Sequence, residues 1–105
     1  MSSRMILVTI RMKVLSEKRM ELAQTIASLS GSIRMEKGCR RCELYQSVED
    51  ENRLYFFEEW DTRENLIDHM KSDRFKVFRG AMNLLVEPYE RTFLTISHPP
   101  GMEGM

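Results

Sequence analysis

At 105 residues, with 42% hydrophobic and 30% charged side chains, the chain has the composition of a single ordinary folded domain, not of a fibrous or disordered polypeptide. Sixteen basic residues cancel sixteen acidic ones, which leaves no long-range field to draw in nucleic acid or an anionic membrane, and neither is an expected partner. No apolar run approaches the ~20 residues of a bilayer span, and Met1 to Arg4 lead into a strand pattern and not a signal peptide, so a cytoplasmic location is expected.

From Met5 to Val14, Ile6, Val8, Ile10, Met12 and Val14 alternate with Leu7, Thr9, Arg11 and Lys13, the period-two signature of a strand with one dry face. Ser16 is a candidate cap for a helix whose apolar positions Leu22, Ala23, Ile26, Ala27, Leu29 and Ile33 recur at helical spacing and which ends before Gly38. Cys42 to Val48 and Arg53 to Trp60 read as a hairpin around the polar turn Glu49 to Asn52. Asp61 and Thr62 then offer caps for a helix running to about Lys71, with Leu66, Met70 and His69 as inward candidates. Ser72 and Asp73 restart a helix that places Phe75, Phe78, Met82 and Leu85 on one face and exits at Pro88. A last strand covers Tyr89 to Ser97. The pattern therefore predicts one domain over residues 5–97 and a flexible tail over 98–105, rich in proline, glycine and methionine.

Strand, helix, strand, strand, helix, strand is the split βαβ order: an α+β, ferredoxin-like fold with an antiparallel sheet and helices on one face. Strands one and three carry apolar residues on both faces, Leu7 beside Ile6 and Val8, and Tyr55 and Phe57 beside Leu54 and Phe56. A chain this short has nothing left to cover the second face, so a homodimer with face-to-face sheets is expected.

Gly38-Cys39 near strand two, Glu58-x-Trp60 ending strand three, and His69-x-x-Ser72 before Phe75 resemble the antibiotic biosynthesis monooxygenase family in order and spacing. The resemblance covers roughly Met5 to Ile96 and implies a dimeric α+β barrel. For some members it implies oxygenation of quinols or polycyclic phenols by dioxygen without metal or flavin, so no cofactor is expected. Other relatives degrade haem. That branch is similar in placing an iron-ligating histidine where this chain has Arg79, and a guanidinium does not ligate iron. The expected partners are thus a second copy, a small aromatic substrate and dioxygen.

Each candidate residue has a catalytic and a structural reading. His69 titrates near neutrality and can assist deprotonation of a hydroxy-aromatic ring; it can equally be a hydrogen-bonded structural histidine. Trp60 can stack on a planar substrate or simply pack. Glu58 lies on the same side of strand three, and either pairs with a cation such as Arg11 or Arg91 or has its pKa raised by desolvation. Arg11 is a candidate for tuning charge near a developing anion. Phe56, Phe75, Phe78 and Met82 are expected to line an apolar cavity between sheet and helices, or to be core. Cys39 and Cys42 form a C-x-x-C whose neighbours Lys37, Arg40 and Arg41 favour thiolate; with no further ligands and no helix N-terminus, neither zinc nor redox chemistry is assigned to it. The sequence lacks phosphate-loop, dinucleotide and nucleophile-elbow motifs. A monooxygenase of small phenols or quinols is the leading expectation, with a non-catalytic small-molecule-binding or stress-associated module as its rival.

Overall fold

The computed structural model describes residues 5–96, so the expected tail over 98–105 and the end of the last strand at Ser97 lie outside the described residues. The element order is β1 (Met5–Lys13), α1 (Arg19–Ile33), β2 (Cys39–Gln46), β3 (Arg53–Trp60), α2 (Arg63–Met70), α3 (Asp73–Ala81) and β4 (Glu90–Ile96), with short 3₁₀ turns at Ser16–Lys18 and Met82–Leu84. The strands form one antiparallel sheet in the order β2-β3-β1-β4. This is the ferredoxin-like α+β fold that the sequence pattern predicts.

Residues paired directly across an antiparallel ladder share a face, so the register sorts the sheet into rows. Thr95, Ile6, Trp60 and Cys39 form one row on the helix side; Phe93, Val8, Glu58 and Cys42 form the next, and Arg91, Ile10, Phe56 and Leu44 a third. Val8, Ile10, Met12, Leu54, Phe56 and Trp60 from this side join Leu22, Ile26 and Ile33 of α1, Leu66 of α2 and Phe78 of α3 in a continuous core. The opposite side carries Leu94, Leu7 and Glu59 in one row and Glu90, Arg11, Tyr55 and Tyr45 in another. Leu7, Tyr55 and Phe57 are only half-buried there and Leu94 is exposed.

Local chemistry explains the junctions around α2. Thr62 caps α2 by accepting from the Asn65 N–H at 3.1 Å, and Ser72 caps α3 by accepting from the Phe75 N–H at 3.2 Å. The Ser72 hydroxyl also donates to the His69 carbonyl at 2.6 Å, which fixes the joint between the two helices. Gly38 has φ +84°, and a Cβ there would stand 2.4 Å from both Asn65 Nδ2 and Asp61 Oδ1. Only glycine allows that backbone turn and that approach of the α2 N-terminus.

Three sequence expectations need correction. Ser16 makes no side-chain cap; the chain enters α1 through the 3₁₀ turn, where the Lys18 N–H finds the Leu15 carbonyl at 2.8 Å. In α1 the buried face includes Ser30, which donates to the Ile26 carbonyl at 2.8 Å, while Ala27 is exposed. Strand two starts at Cys39 and not at Cys42, because a register shift between Cys39 and Arg41 absorbs Arg40 and keeps both thiols on the core side.

Candidate functional site

Glu58 and Trp60 share the helix-facing side of β3 and lie beneath α2, from which His69 points inward. The His69 ring is 1% exposed, stacks on the Trp60 ring at 4.7 Å and meets the Phe75 ring edge-on at 5.6 Å. Its Nε2 lies 3.1 Å from Glu58 Oε2, and its Nδ1 lies 3.1 and 3.2 Å from the two carboxylate oxygens of Glu36. Trp60 Nε1 donates to Glu58 Oε1 at 3.1 Å, and Arg74 Nε donates to Glu36 Oε2 at 2.8 Å. The result is a continuous line, Trp60, Glu58, His69, Glu36, Arg74, running from the core to the surface. Among the described residues no buried side-chain polar atom lacks a partner.

A carboxylate only accepts, so an imidazole with a carboxylate on each nitrogen satisfies both by donating twice, which only the imidazolium can do. Burial opposes that charge and pulls the His69 pKa down. The hydrogen bonds and charges of Glu58 and Glu36 outweigh it, and the pKa ends above its ordinary value. Two carboxylates, one imidazolium and one guanidinium sum to zero, which is how a charge cluster survives in the core. This geometry and the raised pKa favour a doubly bound imidazolium, the hydrogen-bonded surroundings that the sequence offered as the alternative to a base at His69.

Of the two readings of the phenylalanines, the packing favours core. Phe56 stacks on Phe78 at 5.2 Å, Phe78 on Phe75 at 6.3 Å, all three are buried, and Met82 packs against the core. They fill the space between sheet and helices, and among the described residues they line neither of the two open clefts. Arg11 lies on the other sheet face, 3.6 Å from Glu90 and 5.5 Å over the Tyr55 ring, because odd positions of β1 point away from the helices. It contributes nothing to the His69 cluster, and Glu58 has taken His69 as its cation in place of Arg11 or Arg91. The thiols also differ from expectation. Burial, then the charge of Glu58, pushes Cys39 up to about 11 and Cys42 up to about 12, so both stay neutral at pH 7.

Open space lies on the other side of α2. A cleft of about 390 Å³ is walled by Arg63, Leu66, Ile67 and Met70 of α2 and by Ile6, Phe93 and Thr95 of β1 and β4. It exists because β4 is an edge strand that no helix covers, so Phe93 is 46% exposed along the margin of α2. Ile6 pairs with Trp60 in the sheet register, which puts the cleft floor one residue away from the His69 line. Its volume falls within the ~300–1,000 Å³ range of small-molecule sites, and its wall is mostly apolar with few polar groups. Sequence reasoning found Leu66 and Met70 as inward residues and missed Arg63, Ile67, Phe93 and Thr95. The only available signal was an apolar Ile67 on the wet side of α2. Glu36 and Arg74 carried no local signal.

Residues 5–81 match the family model described as antibiotic biosynthesis monooxygenase. Among solved structures, a conserved protein from Methanosarcina mazei Go1 is similar at 30% identity and a TM-score of 0.82, over 86% of this chain and 90% of that one. Rv0793 from Mycobacterium tuberculosis is similar at 26% identity and 0.83, over 91% and 98%. A candidate antibiotic biosynthesis monooxygenase from Caulobacter crescentus CB15 shares the fold at 24% identity and 0.81, over 88% and 89%. No protein in the curated set matches the chain.

Proposed function

Because the chain belongs to the antibiotic biosynthesis monooxygenase family, we propose that it is a cofactor-independent monooxygenase of small phenolic or quinol-type compounds, with the α2–β4 cleft as its substrate site. The observation that carries this reading is the cleft itself, a mostly apolar slot of about 390 Å³ with Arg63 in its wall. Planar rings fit between the Leu66, Ile67 and Met70 side and the Phe93 side, burying apolar area on both faces. A guanidinium near a phenol favours its anion, so the hydroxyl proton can leave to solvent without a dedicated base. The electron-rich anion then reduces dioxygen by one electron, and the pair recombines with a new bond from ring carbon to oxygen. Loss of the hydrogen on that carbon and scission of the O–O bond release water and leave a quinone, so one dioxygen yields one carbonyl oxygen and one water.

In this reading His69, Glu58 and Trp60 are positioning residues: they hold α2 on β3 at the distance that keeps the cleft open. The reading includes a homodimer joined through the sheet face that bears Leu7, Tyr55, Phe57 and Leu94, which no helix covers among the described residues. Leu94→Asp should shift a dimer to monomer by light scattering.

The second reading, a binding module without chemistry, draws on a specific feature: among the described residues the cleft wall holds no carboxylate or imidazole. Oxygen uptake above the autoxidation rate decides between them. With hydroquinone and dihydroxynaphthalene as substrates, protein-dependent uptake that saturates with substrate supports the monooxygenase. Saturable binding with no uptake selects the module. No helix of the described residues is long and apolar enough to cross a membrane.

A further inference from the structure

Along the helix-facing side of β4 the residues run Arg91, Phe93, Thr95, and the cleft occupies the Phe93–Thr95 stretch. At the Arg91 end, the Arg91 guanidinium lies 5.0 Å over the Phe93 ring and 5.8 Å over the Phe75 ring. The Arg79 guanidinium lies 5.8 Å over that same Phe75 ring. Two guanidiniums are thus gathered at a single aromatic side chain, next to a ring that walls the cleft. Arg63 stands at the other end, in the first turn of α2.

Ring faces attract cations, but each such contact is worth only ~0.5–1 kcal/mol at exposed sites and does nothing to neutralise like charges brought together. Among the described residues none of Arg63, Arg79 and Arg91 forms an ion pair. Glu90 pairs instead with Arg11, Glu36 and Glu58 with His69, and Asp73 with Lys76. Three arginines without an ion pair among the described residues thus stand in or beside a cleft walled by Phe93, in a chain of zero formal charge. Arginine forks match carboxylates bidentately, and a charge held against an apolar wall is only weakly screened.

We infer that the ligand of this cleft is an aromatic acid, with its ring system between α2 and Phe93 and its carboxylate at the Arg79–Arg91 end. The reacting hydroxyl then points to the Arg63 end. This deepens the function proposed above and rests on its choice of cleft, though not on its chemistry.

The test compares a hydroxynaphthoate with the matching hydroxynaphthamide, equal in shape and different in charge, by calorimetric titration of the intact protein. The acid should bind about 10- to 100-fold tighter at low ionic strength, with the preference shrinking as salt rises. Arg91→Gln and Arg79→Gln should each cut the preference several-fold, Arg91→Lys should keep most of it, and the exposed Lys76→Gln should leave it unchanged. Arg79 is exposed, so its variant reads out even if Arg91→Gln folds poorly. Equal binding of acid and amide, binding of neither, or an unchanged preference in Arg79→Gln overturns the inference. Oxygen uptake with neutral quinols but no acid preference would overturn it while leaving the monooxygenase intact. Strong acid preference without uptake on any substrate does the reverse.

Discussion

The two sides of α2 treat charge in opposite ways. Behind the helix, His69 has a carboxylate on each ring nitrogen, and those carboxylates are held in turn by Trp60 and Arg74, so every donor and acceptor is engaged. In front of it, guanidiniums stand around an apolar slot with no partner among the described residues. A fully satisfied cluster has nothing left to offer a ligand, whereas the uncompensated one does. Under the function proposed above, the titratable residue that looks most catalytic is the structural one, and ligand binding falls to residues that look like surface.

The sharpest way to break this comparison is to remove the lock. His69→Ala leaves Glu58 buried with only the Trp60 N–H, and removing one partner of a buried pair should cost about 3–5 kcal/mol, read from the denaturant midpoint. A loss under about 1 kcal/mol would show that the line is not an anchor. Next in size is Gly38→Ala, which meets Asp61 and Asn65 at the α2 N-terminus and forces a left-handed backbone on alanine; about 2 kcal/mol is expected from the same measurement. Then comes pH. His69 is raised in the folded state, so the native protein holds a proton that the unfolded chain releases above about pH 6.5. The stabilisation is complete below that value and is lost as pH climbs through the folded pKa, by up to about 1.4 kcal/mol per unit. His69→Gln should flatten the slope that begins above about pH 6.5, where the two folded-state thiols stay protonated.

Much of the fold was legible because its signals are local. Alternation in β1 and β3, the caps Thr62 and Ser72, and the pairing of Glu58 with Trp60 on one strand face all follow from spacings of two to four residues. The partners of that face were not legible. Glu36 reaches His69 across 33 residues and Arg74 across 38, and no periodicity encodes that meeting. For Phe56, Phe75 and Phe78 the sequence left cavity wall and core both open, because a helical stripe reports which residues face inward and says nothing of whether their volumes match. The cleft was missed for a related reason. It depends on β4 lying at a sheet edge, and strand order follows from connectivity in three dimensions, not from the pattern within β4 itself.

The smallest expected stability effect is the most telling for function. Ile67 is 38% exposed on the cleft wall and stands outside the core, so Ile67→Ser should shift stability by no more than about 0.5 kcal/mol. If the cleft binds substrate, the same change removes apolar contact in ground state and transition state alike and should raise KM about 3- to 10-fold with kcat nearly unchanged. The lock variants should show the converse, with large losses of stability and, in protein that remains folded, a milder effect on KM. An Ile67→Ser protein with unaltered KM would return the substrate to the His69 side of α2. It would then have to enter a space that the side chains already fill, which requires the helix to swing away from β3. That motion is itself measurable, as faster amide exchange in α2 when substrate is added.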